Sequence, residues 1–556
     1  MESTLIKSDV IIIGAGLAGL TAAHELKKKD DSLNVMILEA NSRVGGRLFS
    51  KEVLVGGQNV SIELGGQFLT STQTELLDLL ADLQLDTLEL AGTPFKQLYF
   101  CSTHCSPLWR TGAFNATSGF KGWVRQFEWV YLLNRLKNYE SAILIKHPYI
   151  KPKYVELRLD NCCGLAEYLD TISLHGFLRD FCYFASNRDM FEIVVLRIFG
   201  RSSTEISLLM FLIYSKSMGG VHELFGPTKK LAIAGGSAAL LDRLAKTIGV
   251  DSIVTNQPVQ CIVTDDEKVY VTSSTQQIYV CQRVICAIPP EHLPMVQFEP
   301  NLGPKMAKSV KSWSSGNMIK FVVVYSRPFW KDHRLSGTMA CLQGKQIQKV
   351  CSGLPITQVF DASLSTNEDD PGILSGLLAG PAALQWGEIN PETLKLSIIE
   401  TLSEYFGHWA QNETHHIELH YWDQEIFSSS PICSQRLGCL EYAYTLRDPH
   451  QDKVFFAGAE LSVQWMGQMA GAVLSGTRAA IQVLDDLRPQ SLSTKDYKVL
   501  KSIHLSTEDR FPKHVQSSRN YGIYRWTLFL PMTCIAFGYG ACFLRDKWCG
   551  IFIPMH

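Results

Sequence analysis

The sequence has little of what marks the specialised protein classes. Its 15 cysteines among 556 residues are too few for a disulfide scaffold. They form no C-x-x-C pairs with zinc-ligand spacing, so reduced thiols and no metal site are predicted. Neither sign of charge dominates, because 52 Lys and Arg residues are balanced by 54 Asp and Glu residues. A strongly basic surface for nucleic acid is therefore not expected.

The composition is that of a large globular protein. Hydrophobic residues make up 46% and charged residues 19%, which excludes a disordered or collagen-like chain. A length of 556 residues allows two large domains or several smaller ones. No secretory signal peptide is predicted, because the first apolar run, Val10–Ile13, is too short for one.

The C-terminal region contains one long apolar run. Trp526 to Leu544 is 19 residues without a charge, bounded by Arg525 and by Arg545 to Lys547. As a helix it would be about 28 Å long, close to the thickness of a bilayer core. A tail anchor is predicted, with residues 1 to about 500 facing the cytosol. Its short basic flank favours the mitochondrial outer membrane, with the endoplasmic reticulum as the alternative.

The N-terminal segment has the pattern of a βαβ unit. The strand Val10–Ile13 precedes a glycine turn and the helix Leu17–Lys29, and Val35–Leu38 is a second strand. The turn reads Gly14-Ala-Gly16-Leu-Ala-Gly19, whose glycines permit a tight turn, close approach to a pyrophosphate and helix–strand packing. The pattern predicts a dinucleotide site at the helix N-terminus.

One further feature narrows the dinucleotide to FAD or NAD, and two more select FAD. Glu39 ends the second strand and supplies the carboxylate expected at a ribose 2′-hydroxyl, which disfavours NADP. Arg43-Val-Gly45-Gly46-Arg47 follows, with residues suited to a diphosphate and a flavin edge. Near the end of the globular region, Phe455-Phe-Ala-Gly458-Ala-Glu460 is a strand that ends on glycine and a carboxylate.

Later segments predict further elements. Val259–Val263, Tyr279–Ala287 and Met318–Tyr325 have the pattern of strands, and Pro391 to Phe406 that of a helix.

With these motifs the chain resembles the flavin-containing amine oxidase family, and its monoamine oxidase branch in particular. The resemblance runs from about residue 8 to 485, and the tail anchor extends it. Its supporting segments are Glu63 to Gln73, Gly235-Gly236-Ser237, Pro258-Val259, Ala287 to Pro290, Gly316 to Phe321, Arg327 to Trp330 and Trp465 to Ala472.

The resemblance implies a two-domain α/β fold: a Rossmann-type FAD domain, a mixed-sheet and helical substrate domain, and a C-terminal transmembrane helix. The expected FAD domain is discontinuous, with the substrate domain between its parts. The boundaries are 1–80, 225–310 and 425–488 for the FAD domain, 81–224 and 311–424 for the substrate domain, 489–525 for a linker and 526–544 for the anchor.

The resemblance also assigns residue roles. Lys320 corresponds to a lysine that is bonded through water to flavin N5, where its charge would assist oxygen reduction. Gln468 and Leu440 occupy the positions that flank the substrate. The residues assigned to FAD are Gly14, Gly16, Gly19, Glu39, Arg43, Gly46, Arg47, Val259, Cys439, Gly458, Glu460 and Met469.

The sequence departs from the family in the substrate pocket. Leu440 and Gln468 replace two tyrosines whose aromatic faces flank the amine, so the feature most specific to monoamines is missing. Phe68 and Phe360 replace cavity tyrosines. The covalent flavin link of monoamine oxidases has three alternatives here: a thioether through Cys439, a thioether through Cys433, or no tether.

The expected function is oxidation of an amine, with FAD and dioxygen, to an imine that hydrolyses to an aldehyde and ammonia, and release of hydrogen peroxide. One alternative is an FAD-dependent oxidase or desaturase of a non-amine substrate. Another is a membrane-anchored FAD-binding protein with little amine turnover. Polyamine oxidation would require carboxylates in the pocket and amino-acid oxidation an arginine, and the sequence alone places neither. A homodimer is a further expectation from the resemblance.

Overall fold

The computed structural model describes residues 5–90, 96–100, 108–110, 120–143, 165–225, 230–341, 356–364, 370–428 and 432–503. Residues up to Leu500 form one compact unit, and residues 501–556 a second, of which only 501–503 are described. No helix in the described part of the chain is both long and apolar enough to cross a membrane. The predicted anchor, 526–544, lies outside these residues.

The described chain alternates strands and helices. The strands, in chain order, are β1 (Ile6–Lys7), β2 (Val10–Ile13), β3 (Val35–Leu38), β4 (Ser50–Val55), β5 (Gln58–Glu63), β6 (Phe68–Thr70), β7 (Thr87–Glu89), β8 (Lys96–Phe100), β9 (Leu108–Arg110), β10 (Lys230–Ile233), β11 (Ile253–Val254), β12 (Val259–Thr264), β13 (Val269–Ser273), β14 (Ile278–Cys281), β15 (Arg283–Cys286), β16 (Gln297–Glu299), β17 (Trp313–Ser314), β18 (Met318–Tyr325), β19 (Leu335–Cys341), β20 (Gln358–Asp361), β21 (Gly372–Ala379), β22 (Thr414–Tyr421), β23 (Ser434–Gln435) and β24 (Val454–Phe456). The α-helices are α1 (Leu17–Lys29), α2 (Thr74–Asp82), α3 (Phe120–Ala142), α4 (Leu165–Thr171), α5 (Leu174–Phe181), α6 (Ala185–Phe199), α7 (Leu208–Ser217), α8 (Gly236–Ile248), α9 (Pro304–Ser312), α10 (Pro381–Gly387), α11 (Pro391–Phe406), α12 (Trp409–Asn412), α13 (Met469–Leu487) and α14 (Thr494–Ile503).

A five-stranded parallel sheet of order β11-β3-β2-β15-β24 forms the nucleotide-binding half. Its central strand β2 is buried along its whole length, as a continuous β-branched run predicts for a parallel sheet covered on both faces. Helix α1 packs on this sheet and against α13, where the absent side chain of Gly476 permits close contact: a Cβ there would lie 2.3 Å from the backbone oxygen of Ala18. The predicted βαβ unit is confirmed.

One predicted strand is two strands. The segment Tyr279–Ala287 breaks at Gln282, whose backbone N–H bonds to the carbonyl of Asp9 instead of continuing a ladder. The first part, β14, joins an antiparallel neighbour β13, whereas β15 lies in the parallel sheet beside β2. The strand pattern alone does not show where the chain changes sheet, so this break was not predicted.

A seven-stranded mixed sheet of order β22-β18-β21-β20-β19-β8-β9 forms the other half. Its strand β18 is paired on both sides and fully buried, with Lys320 opposite Leu377 and His420. Strand alternation sends Ile319 and Phe321 to one core and Lys320 to the opposite face. A smaller sheet, β6-β10-β7, joins segments on both sides of the boundary predicted at residue 80.

Helices α6 and α7 close the space between the two halves. Helix α7 is mostly apolar and buried, and it is capped by Ser207, whose hydroxyl accepts a hydrogen bond from the N–H of Met210 at 3.0 Å. Helix α6 ends at Gly200 in a left-handed conformation (φ +61°), where a Cβ would also lie 2.8 Å from the backbone oxygen of Asn317.

Candidate active site

A cavity of about 1160 Å³ runs between the two sheets. One end of the cavity, the nucleotide end, is formed by the glycine turn after β2, by Glu39 and by Val259. The opposite end, the substrate end, is formed by α6, α7 and the strands β18 to β20. The cavity therefore connects the predicted dinucleotide site to the predicted substrate domain.

The glycine turn is open to the cavity where a pyrophosphate would lie. Gly14 has φ +100°, and a Cβ at Gly19 would lie 2.0 Å from the backbone oxygen of Gly14, so both positions require glycine. A Cβ at Gly16 would meet nothing within 4 Å, because that position faces the cavity. Helix α1 begins there without a side-chain cap, which leaves its first N–H groups available to an anion.

Glu39 is held at the rim of the nucleotide end. Its carboxylate accepts hydrogen bonds from the N–H of Ala15 at 2.6 Å and of Asn41 at 2.9 Å. Burial raises the pKa of Glu39, and these two N–H donors oppose that effect. Such an oriented carboxylate suits a ribose hydroxyl, and together with the open glycine turn it fits the FAD that the sequence predicts.

Beside the middle of the cavity, Arg47 and Glu460 form a buried ion pair. Arg47 donates two hydrogen bonds to the carboxylate, one of them from Nη2 to Oε2 at 3.0 Å, and the Glu460 side chain is fully buried. Burial alone would raise the pKa of Glu460, but the guanidinium lowers it below its usual range. Arg47 lines the cavity and Glu460 does not, so the carboxylate holds Arg47 in place.

Lys320 lies at the cavity wall and is 4% exposed. Its Nζ donates to the carbonyl of Gly65 at 2.9 Å and to Oε1 of Gln67 at 3.4 Å. Burial lowers the pKa of Lys320 to about 8, and the charge of Glu63 opposes this. The sequence prediction that this lysine is buried agrees with the structure.

Gln468 is positioned by a tyrosine that the sequence analysis missed. Its Nε2 donates to the hydroxyl of Tyr214 on α7 at 3.0 Å, and both side chains line the cavity. Burial raises the pKa of Tyr214 to about 12, so the hydroxyl is neutral and can donate in turn. An aromatic side chain thus reaches this part of the pocket from a different helix.

Phe68 and Phe360 line the cavity as expected, and their rings meet edge to face at 5.1 Å. Among the residues assigned to FAD, those that line the cavity are Gly14, Gly16, Glu39, Gly46, Arg47, Val259, Gly458 and Met469.

Five of the predicted residues lie outside the cavity wall, one of them Glu460, which holds Arg47 as described above. Gly19 acts through packing, as described above. Arg43 places its guanidinium over the ring of Phe49 at 4.4 Å and donates to backbone carbonyls of its own loop, so it supports the loop. Cys439 and Leu440 lie beside α4, where the N–H of Leu440 bonds to Asp170 at 2.9 Å.

Leu440 is therefore a core residue at 2% exposure, a correction to its predicted place beside the substrate. The tether through Cys439 is likewise not supported, because this cysteine does not reach the cavity wall. The other candidate, Cys433, is fully buried, and its backbone N–H bonds to Glu460 at 3.4 Å. Burial, with the charges of Glu291 and Glu460, raises the pKa of the Cys433 thiol well above its ordinary value.

Two cations of the cavity were also missed: Arg197 on α6 and Lys230 on β10. The sequence offers one signal for Arg197, which interrupts the apolar run from Phe191 to Phe199. It offers none for Lys230, since a charged residue at the start of a strand is ordinary.

Comparison with known proteins supports this interpretation. The family model for flavin containing amine oxidoreductase matches residues 17–484. The chain is 27% identical over 503 residues to amine oxidase [flavin-containing] A of Bos taurus, with 88% of this chain and 86% of that protein covered. It is 26% identical over 496 residues to the human B form, with 86% of each covered.

Solved structures give the same result. Wild-type putrescine oxidase bound to putrescine superposes with a TM-score of 0.75 at 25% identity, covering 87% of this chain and all of that one. Cyclohexylamine oxidase from Brevibacterium oxydans IH-35A has the same TM-score and identity, with 86% and 99% covered.

The predicted two-domain FAD-dependent fold, its cofactor FAD and the oxidative deamination of amines are confirmed by these matches. The chain belongs to the flavin containing amine oxidoreductase family.

Proposed function

We propose that the amine is oxidised at the end of the cavity between Lys320 and the Gln468–Tyr214 pair. The observation that carries this proposal is the buried ammonium of Lys320, which lies at the wall of a cavity continuous with the nucleotide end. Bound FAD would supply the two-electron chemistry, as the acceptor of a hydride equivalent from the α-carbon and the donor of electrons to dioxygen. Water then hydrolyses the imine, so the products are a carbonyl compound, ammonia and hydrogen peroxide.

The protein contributes positions and charge. Apolar walls, among them Ile193, Leu377 and Phe360, favour the neutral base of the amine, which is the form that can lose hydride. The amide of Gln468, held by Tyr214, is placed to hydrogen-bond a substrate. Lys320 keeps positive charge where dioxygen is reduced.

The residues at the nucleotide end bind the cofactor and take no part in the reaction itself. In this proposal Glu39 binds the ribose, the open turn at Gly16 takes the pyrophosphate, and Arg47 lies along the cofactor. Gly458 and Met469 border the flavin end of the cavity. The division into an FAD domain (1–80, 225–310 and 425–488) and a substrate domain (81–224 and 311–424) remains part of the proposal.

The flavin is proposed to be bound without a covalent link. Cys439 is outside the cavity wall, and the raised pKa of Cys433 leaves little of the reactive thiolate. Precipitating the holoenzyme in acid tests this, because an untethered flavin stays in the supernatant. Flavin that precipitates with protein contradicts the proposal, and Cys433→Ala and Cys439→Ala variants then identify the attachment.

The membrane location remains a proposal from the sequence. The apolar run 526–544 would anchor the chain in the mitochondrial outer membrane, with the endoplasmic reticulum as alternative. Fractionation of cells that express the full chain and a chain ending at residue 503 tests the anchor. Equal release of both from membranes by alkaline carbonate would contradict it.

The function itself is tested by anaerobic mixing of the FAD-loaded protein with aryl, alkyl and polyamines. Bleaching of the flavin absorbance by an amine, reversed by air with release of peroxide, is the expected result. If no amine bleaches the flavin, the site has lost amine oxidation, and binding without turnover becomes the better account.

A further inference from the structure

Arg197 is a cation inside the substrate end of the cavity. It belongs to the last turn of α6, and its Nη1 donates to Oε1 of Gln358 at 3.4 Å, a long contact with a neutral group. No carboxylate among the described residues forms an ion pair with it. Burial lowers the pKa of Arg197, which indicates that its charge is poorly solvated.

Lys230 adds a second positive charge at the same end. Its Nζ lies 4.8 Å from the ring centre of Phe68 and 5.1 Å from that of Phe360, so ring faces are its neighbours. Within the described chain it has no ion pair either. Burial and the nearby charge of Arg197 lower the pKa of Lys230 to about 8, with Asp361 opposing.

The acidic groups near this end do not neutralise the two cations. Asp361 lines the cavity, but its Oδ2 accepts from Nε1 of Trp330 at 3.0 Å and its Oδ1 from the N–H of Ser363 at 2.9 Å. Glu223 and Glu89 are exposed side chains at the solvent side of the lining. Among the residues that the structure describes, the inner end therefore contains one carboxylate that is already hydrogen-bonded and two cations that form no ion pair.

Burying a charged guanidinium against apolar side chains costs free energy of desolvation, and a bound anion would offset that cost. The guanidinium binds carboxylates in a planar, two-pronged geometry that neutral groups do not match. Arg197 is also close enough to Tyr214 for its charge to lower the pKa of that hydroxyl, so it lies near the group that holds Gln468. An anion bound by Arg197 would therefore lie at the same end of the cavity as the amine that is proposed to react.

We propose that the substrate is an amine that also carries a carboxylate, and that Arg197, assisted by Lys230, binds this carboxylate. This inference rests on the proposed function and specifies its substrate class. The reaction is unchanged: the amine-bearing carbon loses a hydride equivalent, and the carboxylate is only bound. A substrate with a second amine is disfavoured, because its ammonium would be placed beside two cations.

The test compares substrates that share a four-carbon chain. Butylamine has a neutral tail, butane-1,4-diamine a cationic tail and 4-aminobutanoate an anionic tail, while 2-aminobutanoate carries the carboxylate on the reacting carbon. Phenethylamine and phenylalanine form a larger pair. The rate constant of anaerobic flavin reduction divided by the apparent Kd is measured for each. At least one carboxylated amine should exceed its neutral partner by roughly 10- to 100-fold, as expected for a charge-assisted hydrogen bond.

The variants separate charge from shape. Arg197→Met should abolish the preference for the carboxylated partner, while Arg197→Lys should retain part of it. Lys230→Met should reduce it by a smaller factor. Arg243→Met, which removes an exposed arginine of α8 outside the cavity, should leave it unchanged. Whether 2-aminobutanoate or 4-aminobutanoate is preferred then fixes where the carboxylate lies relative to the reacting carbon.

A second readout does not depend on turnover. Benzoate, which cannot be oxidised, should perturb the flavin absorbance of the wild type, and Arg197→Met should weaken its binding by roughly tenfold or more. If neutral amines reduce the flavin as well as their carboxylated partners and Arg197→Met changes neither ratio nor benzoate binding, the inference is overturned while amine oxidation stands. If no compound of either kind reduces the flavin, the proposed function itself fails.

Discussion

Replacing Lys320 with methionine tests whether its charge serves oxygen reduction. A pKa lowered from 10.5 to about 8 corresponds to a penalty of about 3 kcal/mol on the buried ammonium. Its hydrogen bonds to Gly65 and Gln67 are already part of that balance, so they do not fully offset the cost of burying the charge. Methionine has a similar length and no charge to desolvate, so we expect Lys320→Met to fold with a free energy of unfolding close to that of the wild type.

The functional effect should therefore be separable from folding. We expect flavin reduction by amine to change little and reoxidation by dioxygen to slow by roughly 10- to 100-fold, the range for removing one electrostatic stabiliser. The assay is stopped-flow mixing of the reduced enzyme with oxygenated buffer. Lys51→Met is the matched control, because Lys51 is an exposed lysine paired with Glu418 and lies outside the cavity.

The pH profile gives the sharper criterion. With a pKa of about 8, roughly nine-tenths of Lys320 is charged at pH 7, and the charge is lost as pH rises through 8. Wild-type reoxidation should slow over this interval and the variant should not. Wild-type stability should instead rise from pH 8 towards 10.5, because the unfolded chain binds this proton more tightly. Reoxidation in Lys320→Met at the wild-type rate would refute the reasoning.

Two further substitutions test the nucleotide end. Gly19→Ala would place a methyl group 2.0 Å from the backbone oxygen of Gly14, so we expect loss of FAD binding, measured by flavin content after purification. Glu460→Gln leaves the Arg47 guanidinium without its carboxylate, and we expect a loss of about 3 kcal/mol in urea unfolding. Folding lowers the pKa of Glu460. The difference in free energy of unfolding between wild type and variant should therefore disappear as the pH falls below the ordinary pKa of a glutamate and through the lowered pKa of the folded state.

Each of these has a control in the same chain. Gly303→Ala adds a Cβ with no neighbour within 4 Å and should retain FAD. Glu418→Gln breaks the more exposed ion pair with Lys51 and should change stability by at most about 1 kcal/mol. If Gly303→Ala lost as much FAD as Gly19→Ala, the steric contact at Gly19 would not be the cause. If Glu418→Gln lost as much stability as Glu460→Gln, the burial of the Arg47–Glu460 pair would not be the cause.

The nucleotide half was predictable because its signals are local. The spacing of Gly14, Gly16 and Gly19 and the carboxylate of Glu39 fix a turn and a rim within about 30 residues of chain, and a buried parallel strand has a recognisable composition. The change of sheet at Gln282 was not predictable. It depends on which neighbour each half of the run pairs with, and pairing is a long-range property.

At the substrate end, the burial of Lys320 was predictable because it lies on a strand. Lys320 and Arg197 each interrupt an apolar run. On strand β18 a side chain can point to only two faces, and because the apolar neighbours of Lys320 occupy one face, Lys320 must point to the other. On a helix that is apolar on most sides, the direction of Arg197 depends on what packs against every face. Leu440 shows the converse, since a motif placed it beside the substrate and the packing of its loop on α4 moved it to the core. Helix packing thus decides which side chains of α6 enter the cavity, and Arg197, which it turns inward, is the residue that we propose to select the substrate.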